Sequence, residues 1–340
     1  MLERSLDGAA HEVLRRFRLH ASTKNLVALG NHGGFSGARL WRVETEAVSL
    51  CLRAWPPNDP STQRLRWIHS LMDLAQRRGV EFVPALLRAD DGRTWVEYGS
   101  RLWELSTWMP GRADFHKAPS ASRLESSCRA LGRLHRAWAA EETKAGPCPG
   151  IQRRIERSCE WKELVASGWI PVFGAPGLDS VRGYAERAWL LVRVFAERVP
   201  SVLAEWASRP FRLQPCLCDI WHDHVLFDGE NVRGLIDYGG VKIDNVTVDL
   251  ARLLGSMVGD HRAARDAGLR AYSLIRTLAD EEQAIVDLLD KTGTIVGLEN
   301  WLRWLYFDKK PLIDLGAVSE RLRNLVERVE EWETAGSGAL

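Results

Sequence analysis

The sequence predicts an α+β chain in two lobes: a small β-rich first lobe with one inserted helix, residues 1–109, and a larger, mainly helical second lobe, residues 110–340, that carries a β-hairpin. Three observations predict it. Strand-like alternation is concentrated between residues 25 and 109, a Pro110-Gly111 break follows, and beyond the break the apolar period is helical except in one island, residues 213–238. That order suggests a cleft between the lobes. At 340 residues the chain is long enough for such a two-part core.

Each element follows from its own signals. Residues 3–20 set Leu6, Val13, Leu14 and Phe17 at helical spacing, as in a docked amphipathic helix. The stretch LVALGNHGGFSGARLWRVETEAVSLCLRAWPP reads as strand, glycine-rich turn, strand, turn, strand, stopped by Pro56 and Pro57. Residues 61–78 place Leu65, Ile68, Leu71, Met72 and Ala75 on one stripe, with Ser61 as N-cap and Gly79 as the stop. Two more strands, one folded around Asp91-Gly92 and one running from Ser100 to Met109, complete the first lobe. Helices are expected at 120–140, 151–167, 179–207, 245–278, 281–290, 293–307 and 317–333, the last with Leu322, Leu325, Val326 and Val329 on its stripe.

Composition narrows the function classes. A content of 45% hydrophobic and 27% charged residues is that of a soluble globular protein, and a net charge of +1 leaves no global electrostatic case for binding nucleic acid or an anionic membrane. The N-terminus lacks the apolar core of a signal peptide, and no stretch approaches the roughly 18 apolar residues that span a bilayer, so the expected location is the cytoplasm. Six cysteines are too sparse for a disulfide scaffold, and Cys216-x-Cys218 lacks the spacing of a metal or redox pair. Fifteen scattered tryptophans read as packing residues.

Three constellations carry chemistry. Gly33, Gly34, Phe35, Ser36 and Gly37 lie in a turn between strands, where backbone amides without intervening side chains can approach phosphate oxygens; a plain hairpin turn is the competing reading. It is not a P-loop, since no Gly-Lys-Ser/Thr follows and no helix starts there. Arg53, near the end of the strand after that turn, is placed to lie over bound phosphates, or is simply a surface arginine. In DIWHDHVLFDGENVRGLIDYG, the two ends of a predicted hairpin meet, bringing His224 and Asp237 together with Asp219 beside them, from a span of 19 residues. Phosphoryl transfer needs such parts: a carboxylate for the proton of the attacking hydroxyl, and ligands for the divalent cation on the phosphates.

The series GGFSGARLWRVE, SLCLRAW, LWELSTWMPG, ALGRLHRAW, DIWHDHVLFDG, LIDYG and VDLARLL resembles the aminoglycoside phosphotransferase family, within the protein-kinase-like superfamily that also holds choline and homoserine kinases, over residues 25–305. The resemblance implies a protein-kinase-like bilobal fold and an ATP- or GTP-dependent kinase of a hydroxylated small molecule, working with Mg²⁺. Matched position by position, it makes Asp219 the catalytic aspartate, Asp237 a metal ligand, and His224 the occupant of the position where the family carries a metal-binding asparagine. It makes Arg53 the strand cation on the phosphates and places Glu104, Ser106 and Trp108 in the hinge, Glu104 to Met109, whose backbone reads the purine. The departures are equally specific. Leu217-Cys218 stands where the family writes His-Gly, arginine replaces lysine at position 53, and the helix over 61–78 has Asp73 and no glutamate. Histidine at 224 suits Mn²⁺ or Zn²⁺ better than Mg²⁺. A nucleotide-binding pseudokinase and, on Asp219, His222, His224 and Asp237, a metal-dependent hydrolase are the alternatives. Asp249 reads as a loop brace, His135 as a packing histidine, and His222 and Asp223 as a solvated loop tip.

Overall fold

A computed structural model describes residues 2–19, 21–30, 37–139, 145–310 and 314–334, with side chains from Leu6 onward. The chain divides into two compact units, residues 1–138 with 222–239 and residues 139–221 with 240–340.

The first unit is built on a five-stranded antiparallel sheet of β1 (Thr23–Gly30), β2 (Arg39–Thr45), β3 (Ser49–Ala54), β4 (Val96–Tyr98) and β5 (Arg101–Thr107), in the order β1-β2-β3-β5-β4. Strict alternation on β3, with Leu50, Leu52 and Ala54 buried, gives the sheet a core face. Helix α1 (Leu2–Leu14) docks there: Ala10, Val13 and Leu14 join Trp41, Val43 and Trp103, and Asp7 accepts from the Trp41 indole at 2.8 Å. The helix expected to reach residue 20 stops at Leu14, and Phe17 instead bridges to Ala89. Helix α2 (Thr62–Arg77) starts as its sequence predicts, with the Ser61 hydroxyl accepting from the Arg64 amide.

Helix α3 (Ala121–Trp138) and the hairpin of β9 (Val225–Asp228) and β10 (Asn231–Leu235) complete this unit. Ser126 on α3 accepts from the Val232 amide, and Arg123 donates to the Gly229 carbonyl at the hairpin tip. Gly111 has no alternative: its φ is +100°, and a Cβ would sit 2.7 Å from the Phe227 carbonyl oxygen. That close approach lets Arg112 and Phe227 exchange backbone hydrogen bonds, which ties the Pro110-Gly111 break to the hairpin.

The second unit is mainly helical: α4 (Pro149–Ala166), α5 (Asp179–Leu203), α6 (Thr247–Val258), α7 (Arg262–Ser273), α8 (Asp280–Leu302) and α9 (Leu315–Thr334). Two short strand pairs accompany them, β6 (Ala145–Pro147) with β7 (Pro210–Arg212) and β8 (Gln214–Cys216) with β11 (Lys242–Asp244), so the β island extends past its expected limits. Helix boundaries differ from the sequence reading in two places. The single helix expected over 245–278 is two, because Gly259 leaves α6 at φ +53° and His261 caps α7. The helices expected at 281–290 and 293–307 are one continuous α8 ending in a π-type turn at Arg303–Phe307; the Thr292 and Thr294 hydroxyls bond carbonyls four residues back instead of breaking the helix.

Among the described residues no helix is long and apolar enough to cross a membrane. The six cysteines are free thiols.

Candidate active site

In the first unit the sequence-predicted residues Arg53, His224 and Asp237 come together. The hairpin does this locally. Leu235 pairs with Val225, and the Ile236 amide donates to the His224 carbonyl at 3.0 Å, which closes the open end of the ladder. Asp237 follows at once in a left-handed turn, φ +62°, and its Oδ2 stands 3.9 Å from His224 Nε2. A left-handed backbone at a non-glycine residue costs about 1 kcal/mol, so its presence here fixes the direction of a carboxylate.

Arg53 arrives from β3. Both terminal guanidinium nitrogens donate to Asp237 Oδ1, at 3.2 and 3.1 Å, and its plane lies 3.8 Å above the Trp55 ring. Burial alone would raise the Asp237 carboxyl; the charges of Arg53 and His224 and the Gly239 amide outweigh it and hold the group below the ordinary aspartate range. Asp237 is ionised at neutral pH.

Glu104 faces Arg53 across the β3-β5 ladder and is buried. Its Oε2 accepts from the Trp55 indole at 2.8 Å and lies 2.8 Å from His69 Nε2, while His69 Nδ1 reaches the Thr94 hydroxyl at 2.6 Å. Burial would raise this carboxyl too, yet His69 and then Arg53 bring it below its ordinary value. The helix α2 that lacks a glutamate therefore supplies a histidine, which pairs with the buried acid that faces the strand arginine from β5. The sequence reading missed His69 and Trp55. The signal for His69 was a polar residue on the buried stripe of α2, beside Leu65, Ile68 and Met72.

The other predicted nucleotide residues are more dispersed. Gly33, Gly34, Phe35 and Ser36 lie outside the described residues, and Gly37 follows them at φ +79°. Ser106 pairs with Cys51 and bridges to Leu86, and Trp108 lies under the Arg42 guanidinium, 5.0 Å away. The Thr107 amide donates to Ala85 and the Trp108 amide to Ser49, so both are committed within the sheet. The next amide, Met109, has no hydrogen-bond partner among the described residues.

Asp219 belongs to the second unit. It is half exposed, and its Oδ1 is ion-paired with Arg252 at 2.6 Å. The loop before it is braced by Asp249, whose carboxylate accepts from the Leu217 amide at 2.7 Å and the Cys218 amide at 2.6 Å. Asp249 is thus the loop brace its position suggested. Gly240 closes against this loop, where a Cβ would meet the Leu217 carbonyl at 2.8 Å. Cys218 takes φ +60°, a left-handed backbone that favours glycine. His135 is fully buried on α3, and His222 stands edge-on to His116 at 4.2 Å.

A divalent cation fits the first-unit cluster. The 3.9 Å between Asp237 Oδ2 and His224 Nε2 exceeds a hydrogen bond but suits two donors each about 2.1 Å from one ion. One carboxylate and one imidazole form a donor set acceptable to Mn²⁺ and Mg²⁺, with the first preferred.

Comparison with known proteins bears on the family and the fold. The profile of the phosphotransferase enzyme family matches residues 28–284. A homoserine kinase of Beijerinckia indica is 25% identical over 252 residues, 72% of this chain and 71% of its own. A spectinomycin phosphotransferase crystallised with ADP and spectinomycin superposes with a TM-score of 0.67 at 11% identity, covering 95% of this chain and 96% of that one. A microcompartment-associated aminopropanol kinase does so at 0.59 and 14%, covering 98% and 99%. The fold is the bilobal kinase-like α+β fold the sequence predicts.

Proposed function

Because the chain belongs to the phosphotransferase enzyme family, we propose that it transfers the terminal phosphoryl group of ATP or GTP to a hydroxyl of a small molecule, in the cytoplasm where that nucleotide is abundant. The observation that carries this reading is the cluster of Arg53, near the end of the central strand β3, with Asp237 and His224 at the open end of the hairpin.

The reaction asks the protein for placement and charge. In this reading Arg53, held by Asp237 and stacked on Trp55, neutralises phosphate oxygens without searching for its position. The glycine turn through Gly37 supplies amides to the same phosphates. Met109 offers the hinge amide to the purine, beside Ser106 and Trp108. Asp237 and His224 would hold a divalent cation, which when bound would spread the negative charge of the phosphates. Asp219 accepts the proton of the acceptor hydroxyl through Oδ2 as that oxygen attacks in line, and Arg252 on Oδ1 sets the direction of the carboxylate. The lobe boundary after Met109 belongs to the same proposal.

The test is calorimetric titration with ADP, with and without Mn²⁺ or Mg²⁺, followed by a phosphoryl-transfer assay on a panel of amino alcohols, hydroxy acids and amino sugars. Asp219→Asn should lower turnover about 10³-fold while ADP affinity survives. Equal turnover of that variant, or no nucleotide binding by the wild type, would sink the proposal. Tight binding with no transfer to any acceptor would favour the pseudokinase reading.

A further inference from the structure

The second unit holds a guanidinium with no ion pair among the described residues. It is one of three arginines, on α4 and α6, whose charges act on one another. Arg252 is matched by Asp219 at 2.6 Å, and Arg153 is matched by Asp244, which also accepts from the Gly150 amide. Arg154 has no carboxylate partner among the described residues. Its only hydrogen bond is from Nη1 to the Gly150 carbonyl one turn back, and its Nε is buried without a partner.

Packing fixes where this guanidinium sits. The start of α4 lies against α6: a Cβ on Gly150 would meet Val248 at 2.5 Å and Asp244 at 3.1 Å. Helix α8 closes the third side. Gly293 leaves room for Arg154 Nη2, 3.2 Å from where its Cβ would be, and one turn earlier Asp290 fits against Gly255 of α6. Arg154 and Arg252 thus stand on helices that share α8 as a neighbour, one turn from these contacts. Burial is the main influence pushing the Arg154 guanidinium down; Asp244 opposes it, and the like charges of Arg153 and Arg252 add to it. A half-buried cation beside other cations is a cost that an incoming anion removes.

We propose that Arg154, with Arg252 beside it, receives the carboxylate of the acceptor, so that the substrate class is a small hydroxy acid or hydroxylated amino acid and not a polycationic amino sugar. This rests on the phosphotransferase reading and names its acceptor. A single uncompensated guanidinium matches the single charge of a carboxylate, and its planar fork matches a carboxylate bidentately.

The experiment compares acceptors that differ only in the carboxylate: L-homoserine against 3-aminopropan-1-ol, and L-serine against ethanolamine, with ATP and Mn²⁺. The wild type should show kcat/KM at least tenfold higher for the acid of a pair, and Arg154→Gln should collapse that ratio mainly through KM, with Arg154→Lys restoring part of it. ADP affinity, measured on the same preparations, should not change. Equal or reversed preference in every pair, a ratio that survives Arg154→Gln, or a panel in which ADP binds and no acid reacts would each overturn the assignment. Failure of the wild type to bind ADP would overturn the phosphotransferase reading itself, which keeps the two failures apart.

Discussion

The two candidate reaction groups are held in opposite ways. Asp237 in the first unit sits in a prebuilt electrostatic frame: Arg53 donates to it twice, His224 faces it, and Glu104, Trp55 and His69 fix Arg53 from behind. Asp219 in the second unit is half exposed, ion-paired among the described residues with Arg252 alone, and placed by main-chain bracing from Asp249. The contrast teaches what each group is for. A residue that organises charge is pinned by fixed partners, whereas one that must exchange a proton with a changing partner keeps an accessible oxygen.

Breaking the frame should have the largest effect. Asp237→Asn removes the charge on which Arg53 and the cation both depend, and turnover should fall by about 10³ with loss of metal-dependent ADP binding; steady-state kinetics and calorimetry check it. Next comes the support behind the frame. His69→Leu leaves the buried Glu104 short of a partner and should cost about 3 kcal/mol in urea unfolding, with roughly tenfold lower turnover as Arg53 loosens. If stability falls and turnover does not, His69 supports the lobe and not the site.

How much of this was legible follows from sequence separation. The hairpin could be read because its two ends, His224 and Asp237, lie 13 residues apart and antiparallel pairing must bring them together. Arg53 and Asp237, 184 residues apart, were connected only by resemblance to a family, and their direct bond was not foreseen. The His69-Glu104 pair and the Asp219-Arg252 pair were invisible for the same reason: nothing local states which buried polar groups face each other. Helix existence was read correctly at most places, but the break at Gly259 and the continuity through Gly293 depended on packing. Gly293 is kept in a helix by the arginine it accommodates.

A smaller effect separates structural carboxylates from reactive ones. Glu299 is fully buried on α8, accepts from Ser158 at 2.8 Å, and its carboxyl is pushed up to about 8 by burial, which Ser158 and Arg157 only partly offset. The folded protein therefore keeps a proton that the unfolded chain releases between about pH 4.5 and pH 8. Stability should fall as pH rises across that window, by a few kcal/mol at most, and level off above it. Glu299→Gln should flatten the slope between urea melts at pH 5 and pH 8; an unchanged slope would contradict the burial argument. The smallest expected effect is at Cys218, where the left-handed backbone means Cys218→Gly should stay within about 1 kcal/mol of the wild type, while Cys218→Val should cost about 1–2 kcal/mol more.

The most direct test of the contrast is one set of calorimetric titrations of ADP with Mn²⁺ into the wild type, Asp219→Asn and Asp237→Asn. The prebuilt frame predicts wild-type affinity in Asp219→Asn and loss of metal-dependent binding in Asp237→Asn. Equal affinity in all three, or equal loss in both variants, would contradict it.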